Sequence, residues 1–427
     1  MTSLYLLLWI AGGILLQIVI YLCISFWGHW QRYGALQKMV VGVEVSPHSD
    51  TRPAEKQVVA AAWSGFRAFH VDRKVIEDAS AQICSFYLTP EDGKPLPPFL
   101  PGQYLTFKLD VPSPLGGTQS VTRCYSLSDA PQANTYRVSI KRAPAPATST
   151  FPPGISSNYF HDHVQVGSRL QIRAPAGHFH IDRSDSPVVL IGGGIGITPM
   201  LSMLNWSLAE QPGREVWLFY GLRNYSELVM HKHLQDLAEQ HSNFHLHLCF
   251  SNPQAGELDH HRSGPAHHHP TRVDIALLRR LLPLKPYHFY ICGPTVMLQS
   301  LVPALEDWGV PDARIHFEAF GPASIARKKT APAPLASAEP DAQAVLVTFA
   351  KSSKQLTWQS GMGSLLDFAQ DNGIVVNSGC RAGGCGSCQT TIRSGEVAYT
   401  QSPDFDPEPG SCLLCVCTPK TAVTLEA

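Results

Sequence analysis

Residues 377–391, NSGCRAGGCGSCQTT, put three cysteines and four glycines into fifteen positions. A stretch this rich in sulfur folds around a disulfide knot, a zinc ion or an iron–sulfur cluster. The chain carries eleven cysteines, an odd number, and six of them lie between 380 and 417. A secreted disulfide scaffold is short and evenly laced, so the clustering points to a metal site in a reducing compartment. Zinc more often takes paired C-x2-C knuckles or histidines, and no histidine follows His316. Cys380, Cys385 and Cys388 instead follow C-x4-C-x2-C, the spacing of a [2Fe–2S] loop. Gly379, Gly383, Gly384 and Gly386 free the backbone to wrap a cluster and aim N–H groups at its sulfurs, which tunes its potential. The fourth thiolate has to come from Cys412, Cys415 or Cys417.

At 427 residues the chain accommodates two or three domains, and its 44% apolar and 16% charged composition suits packed globular cores. A formal net charge of −1 gives no support to nucleic-acid binding. The N-terminus is of another kind. Residues 4–27, LYLLLWIAGGILLQIVIYLCISFW, run 24 positions without a charge, enough to span a hydrocarbon core of roughly 30 Å. Tyr5 and Trp9 at one end, with Trp27, Trp30 and Tyr33 at the other, suit the aromatic belts of the two interfaces. No basic region precedes the run and no small-residue cleavage site follows it, which sets it apart from a signal peptide. Arg32 and Lys38 follow it and no Lys or Arg precedes it. A single-pass transmembrane helix is therefore expected within residues 1–30, with the catalytic domains cytoplasmic. Residues 31–62 read as a juxtamembrane connector.

A second composition shift falls at residues 323–343, where KKTAPAPLASAEPDAQ marks a semi-extended Ala/Pro linker. Residues 63–184 hold strand-like pieces between turns: QICSFYLTP, PGQYLTFKLDV, RCYSLSDAP and YRVSIKR. Short strands at this spacing predict a small antiparallel β-barrel. Residues 185–322 change rhythm. In PVVLIGGGIGITPMLSMLNWSL an apolar run turns through glycines into a helical pattern, where backbone N–H groups can receive a pyrophosphate. Alone, such a turn is as readily structural. EVWLFYGLR, FHLHLCFS and HFYICGP read as further parallel strands, with LVMHKHLQDLAEQ a helix between them, which predicts a doubly wound α/β domain. In the last block, residues 344–427, LLDFAQDNGIVV reads as a helix and strand leading into the cysteine loop.

The ordered motifs RCYSLS, PPGISSNYFHDHV, GGGIGITPM, YICGP and FEAFGP resemble the ferredoxin–NADP reductase superfamily, in the branch of flavohaemoglobin reductase modules and bacterial oxygenase reductases. The resemblance covers roughly residues 63–322. It implies that Arg123, Tyr125 and Ser126 hold a flavin, with Tyr104 a second contact. Gly154, Ser156 and Ser157 would receive the pyrophosphate, so FAD is implied rather than FMN. For the pyridine nucleotide it implies Gly193, Gly194, Gly196, Thr198 and Pro199 beneath the pyrophosphate, with Cys292 and Gly293 by the nicotinamide. Phe320 would close over the flavin, with Glu318 nearby. Ser126, Cys292 and Phe320 are thus the implied catalytic positions. Arg223 is the one candidate for a 2′-phosphate and is isolated, which favours NADH and leaves NADPH open. Residues 344–426 resemble plant-type ferredoxins, a β-grasp α+β fold. There the last ligand precedes a proline by four, which selects Cys415, ahead of Pro419, over Cys417.

These resemblances imply hydride transfer from NADH to FAD and single electrons leaving through the cluster, with the chemistry belonging to the cofactors. The acceptor implied is a redox protein such as an oxygenase, hydroxylase or desaturase component. A diaphorase acting on quinone, nitric oxide or other small oxidants is a second reading, and a membrane-bound redox sensor a third. Two inserts, RAPAPATSTFPPG and the histidine-rich NPQAGELDHHRSGPAHHHPTRVD, read as exposed loops.

Overall fold

The computed structural model describes residues 63–112, 116–145, 153–257, 264–320, 344–379, 381, 383–384, 386–400, 403 and 405–427. The expected anchor, connector and linker lie outside these residues, as do Cys380 and Cys385. Among the described residues no helix is long and apolar enough to cross a membrane.

Six antiparallel strands come first: β1 (Arg67–Ile76), β2 (Ile83–Pro90), β3 (Tyr104–Pro112), β4 (Thr118–Ser126), β5 (Tyr136–Lys141) and β6 (Arg169–Ala176). Their order is β4-β3-β6-β1-β2-β5, and a bridge between Leu127 and Val138 carries the β4 end back to β5, closing the barrel. Along β3 the period of two is plain: Leu105, Phe107, Leu109 and Val111 are buried while Lys108 and Asp110 face out. Between β5 and β6, α1 (Ile155–His163) lays Phe160 against Phe86, Phe107 and Tyr125, with ring centroids 5.2–5.3 Å apart. That packing pins the start of α1 beside the end of β4.

The next sheet is parallel throughout: β7 (Val188–Gly193), β8 (Val216–Leu222), β9 (Phe244–Phe250), β10 (His267–His269), β11 (His288–Gly293) and β12 (Ile315–Ala319). Helices α2 (Ile197–Glu210), α3 (His231–Gln240), α4 (Ile275–Leu281) and α5 (Thr295–Asp307) cover its faces, so β7 reads apolar without alternation. The order β10-β9-β8-β7-β11-β12 starts in the middle and winds both ways, which opens a crevice at the carboxyl end of β7. One expectation changes here. The histidine-rich insert is not wholly an exposed loop, because the outer edge of β9 accepts His267–His269 as β10, with His267 opposite His247.

The last domain has β13 (Val345–Phe349), β14 (Lys354–Trp358), α6 (Leu365–Asp371), β15 (Gln389–Ser394), β16 (Val397–Tyr399), β17 (Ser411–Leu413), β18 (Cys417–Pro419) and β19 (Val423–Leu425). Its main sheet runs β14-β13-β19-β15-β17, with β13 and β19 parallel, and α6 buries Leu365, Leu366, Phe368 and Ala369. This is the β-grasp pattern. Ser364 and Asp367 form a capping box that starts α6. The strand expected over residues 373–376 is absent. Its first N–H groups instead bond back to the end of α6, Gly373 to the Gln370 carbonyl at 2.9 Å and Ile374 to that of Ala369 at 2.8 Å, and the segment buries Ile374 while leaving Val375 97% exposed.

Candidate functional site

Tyr104 opens β3 opposite Ser126, which closes β4, and Arg123, Tyr125, Ser126 and Tyr104 line one cavity of about 380 Å³. Its far walls come from elsewhere in the chain. Ile195, Thr198, Glu318 and Phe320 belong to the α/β domain, and Ser378, Gly379 and Arg381 to the cysteine loop. Burial pushes the Tyr125 phenol up to about 12, and its O–H donates to Ser156 Oγ at 2.9 Å. Tyr125 is therefore a neutral donor at any physiological pH. Arg123 Nη1 donates to the Thr122 carbonyl at 2.8 Å and to the Ser378 carbonyl at 3.2 Å. Gly154 caps α1 with no side-chain cap bond and no acidic residue in the first turn, which leaves the helix N–H groups to an anion. A Cβ at Gly154 would lie 2.8 Å from that of Ala143. Aromatic rings, a guanidinium and hydroxyls around a cavity, beside an uncapped helix start, fit a flavin and its phosphates. Ser156 and Ser157 stand in that first turn, Ser156 buried and Ser157 Oγ accepting from the Ala143 N–H at 3.3 Å.

A second cavity, about 540 Å³, opens at the crevice of the parallel sheet and is lined by Gly193, Gly194, Gly221, Arg223, Cys249, Asp274, Pro294 and Met297. Two glycines of the turn, Gly193 and Gly196, leave no room for a Cβ. A Cβ on Gly193 would sit 2.8 Å from Pro294 Cδ, and one on Gly196 would run into the Cys292 carbonyl oxygen. Gly293 packs against Met297 in the same way. An uncluttered backbone over a helix start fits a dinucleotide pyrophosphate. Thr198 and Pro199 depart from expectation. Ser202 of α2 donates to the Asp129 carbonyl at 2.7 Å, and on that helix Thr198 lines the flavin cavity and Pro199 is buried lining neither. Cys292 also lines neither cavity. It is fully buried, and burial, with Glu318 nearby, holds it as a neutral thiol.

Arg223 is not a ready phosphate site. Its Nε donates to Glu227 Oε1 at 2.9 Å, and Lys141, at the end of β5, reaches the same carboxylate at 3.5 Å. Lys141 lines both cavities. No local pattern marks Lys141, Glu227 or Arg272, which also lines the second cavity. Glu227→Gln is expected to release Arg223 and raise kcat/KM for NADPH relative to NADH by about tenfold, about 1.4 kcal/mol. Steady-state rates with the two nucleotides check it.

In the cysteine loop Cys380 and Cys385 lie outside the described residues. Cys388 Sγ and Cys415 Sγ are 3.2 Å apart. Cys412 and Cys417 are fully buried, and a hydrogen bond to Cys412 together with burial pushes the Cys417 thiol well up. Of the three candidates for fourth ligand, the structure brings Cys415 to Cys388. A near sulfur pair with no disulfide, on a glycine-rich loop, fits a cluster. Arg381 sits at φ +56°, in the left-handed region, and donates to Asp367 at 3.3 Å, so the residue that caps α6 also steadies the loop.

On β9 and β10, His247 Nδ1 and His269 Nε2 are 3.0 Å apart, and the His267 ring stacks on His247 at 4.9 Å. Among the described residues no group of three His, Cys, Asp or Glu is placed to hold a metal ion. Burial, then the imidazoles of His267, His269 and His245, hold His247 down at about 3. An unfolded histidine titrates near about 6.5, so the unfolded chain takes the proton first and stability falls as pH drops from 6.5 toward 3. At pH 5 this site is expected to cost about 2 kcal/mol relative to pH 7. Urea melts at both pH values should show the loss, and His247→Phe should shrink it by about that amount, the other buried histidines, such as His245 and His269, keeping the remainder.

Comparison with known proteins agrees with this division. The oxidoreductase FAD-binding domain family matches residues 69–181, the oxidoreductase NAD-binding domain family residues 190–302, and the 2Fe-2S iron-sulfur cluster binding domain family residues 347–420. The fold and its sites thus define an NAD(P)H-dependent oxidoreductase whose cofactors are FAD, NADH and a [2Fe–2S] cluster. The chain is 40% identical over 270 residues to the flavohemoprotein of Halalkalibacterium halodurans, 63% of each chain. It is 35% identical over 302 residues to that of Bacillus cereus, 70% of each chain. The solved FAD/NAD-binding domain of a Vibrio cholerae nitric oxide dioxygenase is 31% identical with a TM-score of 0.51, covering 60% of this chain and 100% of that one. The chain belongs to the flavohemoprotein-related family of FAD- and NAD-binding oxidoreductases. It spans 63% to 70% of the length of these curated relatives.

Proposed function

We propose that the chain is an NADH-dependent reductase that delivers single electrons to a separate redox protein, an oxygenase, hydroxylase or desaturase component, at a membrane. One observation carries the reading: barrel, α/β domain and cysteine loop all wall the same cavity. An FAD held there by Arg123, Tyr125 and Ser126 would supply the exchange of NADH's electron pair for the single electrons that a [2Fe–2S] cluster takes. The chain's own part is to position and tune. Arg123 supplies a fixed positive charge, and Ser126 Oγ, nearly buried at the cavity wall, offers a hydroxyl to the flavin edge. Phe320 lines the cavity while 45% exposed, as suits a ring that covers the flavin and yields to the nicotinamide.

The uncharged run of residues 4–27, with Arg32 and Lys38 behind it, supports a single-pass anchor with cytoplasmic domains. A bilayer-bound acceptor would then lie within reach. A second reading, a diaphorase passing electrons to quinone or nitric oxide, draws on the likeness to the nitric oxide dioxygenase domain. Anaerobic titration of the full chain with NADH, and separately NADPH, separates the two. NADH is expected to bleach the flavin and raise the EPR signal of a reduced [2Fe–2S] cluster. Bleaching with an EPR-silent cluster would sink the relay and leave the diaphorase.

A further inference from the structure

The barrel grips the cysteine loop on both sides. Ahead of Cys380, Arg123 holds the Ser378 carbonyl at 3.2 Å. Beyond Cys385, the Phe405 ring lies over the bare Cα of Gly386, where a Cβ would come within 2.7 Å of the ring. The Phe405 N–H donates to the Gly383 carbonyl at 3.0 Å, so ring and backbone both belong to the loop's wrapping. That same ring meets the barrel. The Arg173 guanidinium, on β6, lies 4.8 Å from the Phe405 centroid and 4.7 Å from that of Phe66, just ahead of β1. A cation between two rings is attracted by both π faces, more strongly where water is partly excluded, and all three side chains are half-buried. A flat guanidinium suits this place better than an ammonium.

We propose that Arg173 and Phe405 are the positioning pair that seats the cysteine loop on the barrel and so sets the rate at which electrons reach the cluster. The proposal rests on the relay proposed above. NADH yields NAD+, a proton and two electrons, and the cluster takes one electron at a time. Two passages across this contact, each followed by loss of one electron to an external one-electron oxidant, balance one NADH. Tunnelling falls steeply with distance, so a loop that lifts from the barrel slows each passage. Neither residue lines the flavin cavity; both act through the loop.

The test uses the full chain loaded with FAD and cluster, mixed anaerobically with NADH, with flavin absorbance and freeze-quenched EPR followed together. Arg173→Gln and Phe405→Leu are expected to bleach the flavin at the wild-type rate and reduce the cluster about 5- to 20-fold more slowly. Phe405→Trp should keep the wild-type rate, since Trp offers the best π face. The double variant should be no slower than either single one, because both remove one interaction. Hydrogen exchange at residues 383–388 should quicken in Arg173→Gln and Phe405→Leu and recover in Phe405→Trp. Wild-type cluster reduction and exchange in Arg173→Gln and Phe405→Leu would overturn the proposal, as would Phe405→Trp behaving like Phe405→Leu. Should the wild-type cluster stay oxidised, the relay itself fails, and the exchange readout still decides whether this pair seats the loop.

Discussion

Gly196→Ala is expected to slow reduction by limiting NADH about 100-fold while leaving FAD in the barrel. A Cβ at this position would meet the Cys292 carbonyl oxygen and lie 2.5 Å from its carbonyl carbon and 2.8 Å from Gly293 N. All three atoms are backbone of β11, the strand paired directly with β7, so no side chain can swing aside. The turn or the strand must move, at a cost of about 3 kcal/mol. The move falls where Gly193, Gly194 and Pro294 line the second cavity. If it is charged wholly to nucleotide binding, reduction of the flavin at limiting NADH drops by about 100-fold, while dithionite still bleaches it. Gly213→Ala is the control. Nothing lies within 4 Å of a Cβ there, and its stability should stay within about 0.5 kcal/mol of wild type. Wild-type NADH reduction in Gly196→Ala would remove the glycine turn from the nucleotide site.

That turn was legible because it is local: apolar strand, glycines and helix follow one another in a few residues, and each speaks through its own side chains. The strands around Tyr104, Tyr125 and Ser126 were legible for the same reason. What the sequence hides are pairings set by topology. Lys141 and Glu227 are 86 positions apart, and Arg123 and Ser378 are 255 apart. Neither distance leaves a periodic trace. Arg173 and Phe405 look, in their own segments, like a barrel residue and a loop aromatic. The misreadings have the same origin. HHH has no apolar alternation, yet an open strand edge made it β10; GIVV is strand-like, yet its first N–H groups bond back to the end of α6. Thr198 belongs to a nucleotide motif by its neighbours, yet lines the flavin cavity, on a helix that Ser202 ties to the Asp129 carbonyl.

The fourth cluster ligand is where spacing left the most open, and substitution there should separate the candidates cleanly. Cys415→Ser is expected to lose the iron and the EPR signal, with NADH still bleaching the flavin and one-electron output falling to background. Cys412→Ala and Cys417→Ala should keep both signals at a cost of about 1 kcal/mol each in packing. The reasoning is electrostatic as well as geometric. A cluster binds thiolates, and a site that stabilises the protonated thiol is a poor ligand. Cys417 is fully buried, and its hydrogen bond with Cys412 and its burial both favour the neutral form. Cys415, in the turn Leu414–Val416, is only partly buried and has its sulfur 3.2 Å from that of Cys388. Two thiols that bond each other in the core are fillers of the β-grasp sheet; a sulfur turned toward the glycine loop is available to iron. Iron retained in Cys415→Ser and lost in Cys417→Ala would invert that assignment, and would mean that cluster assembly pulls β18 out of the packing described here.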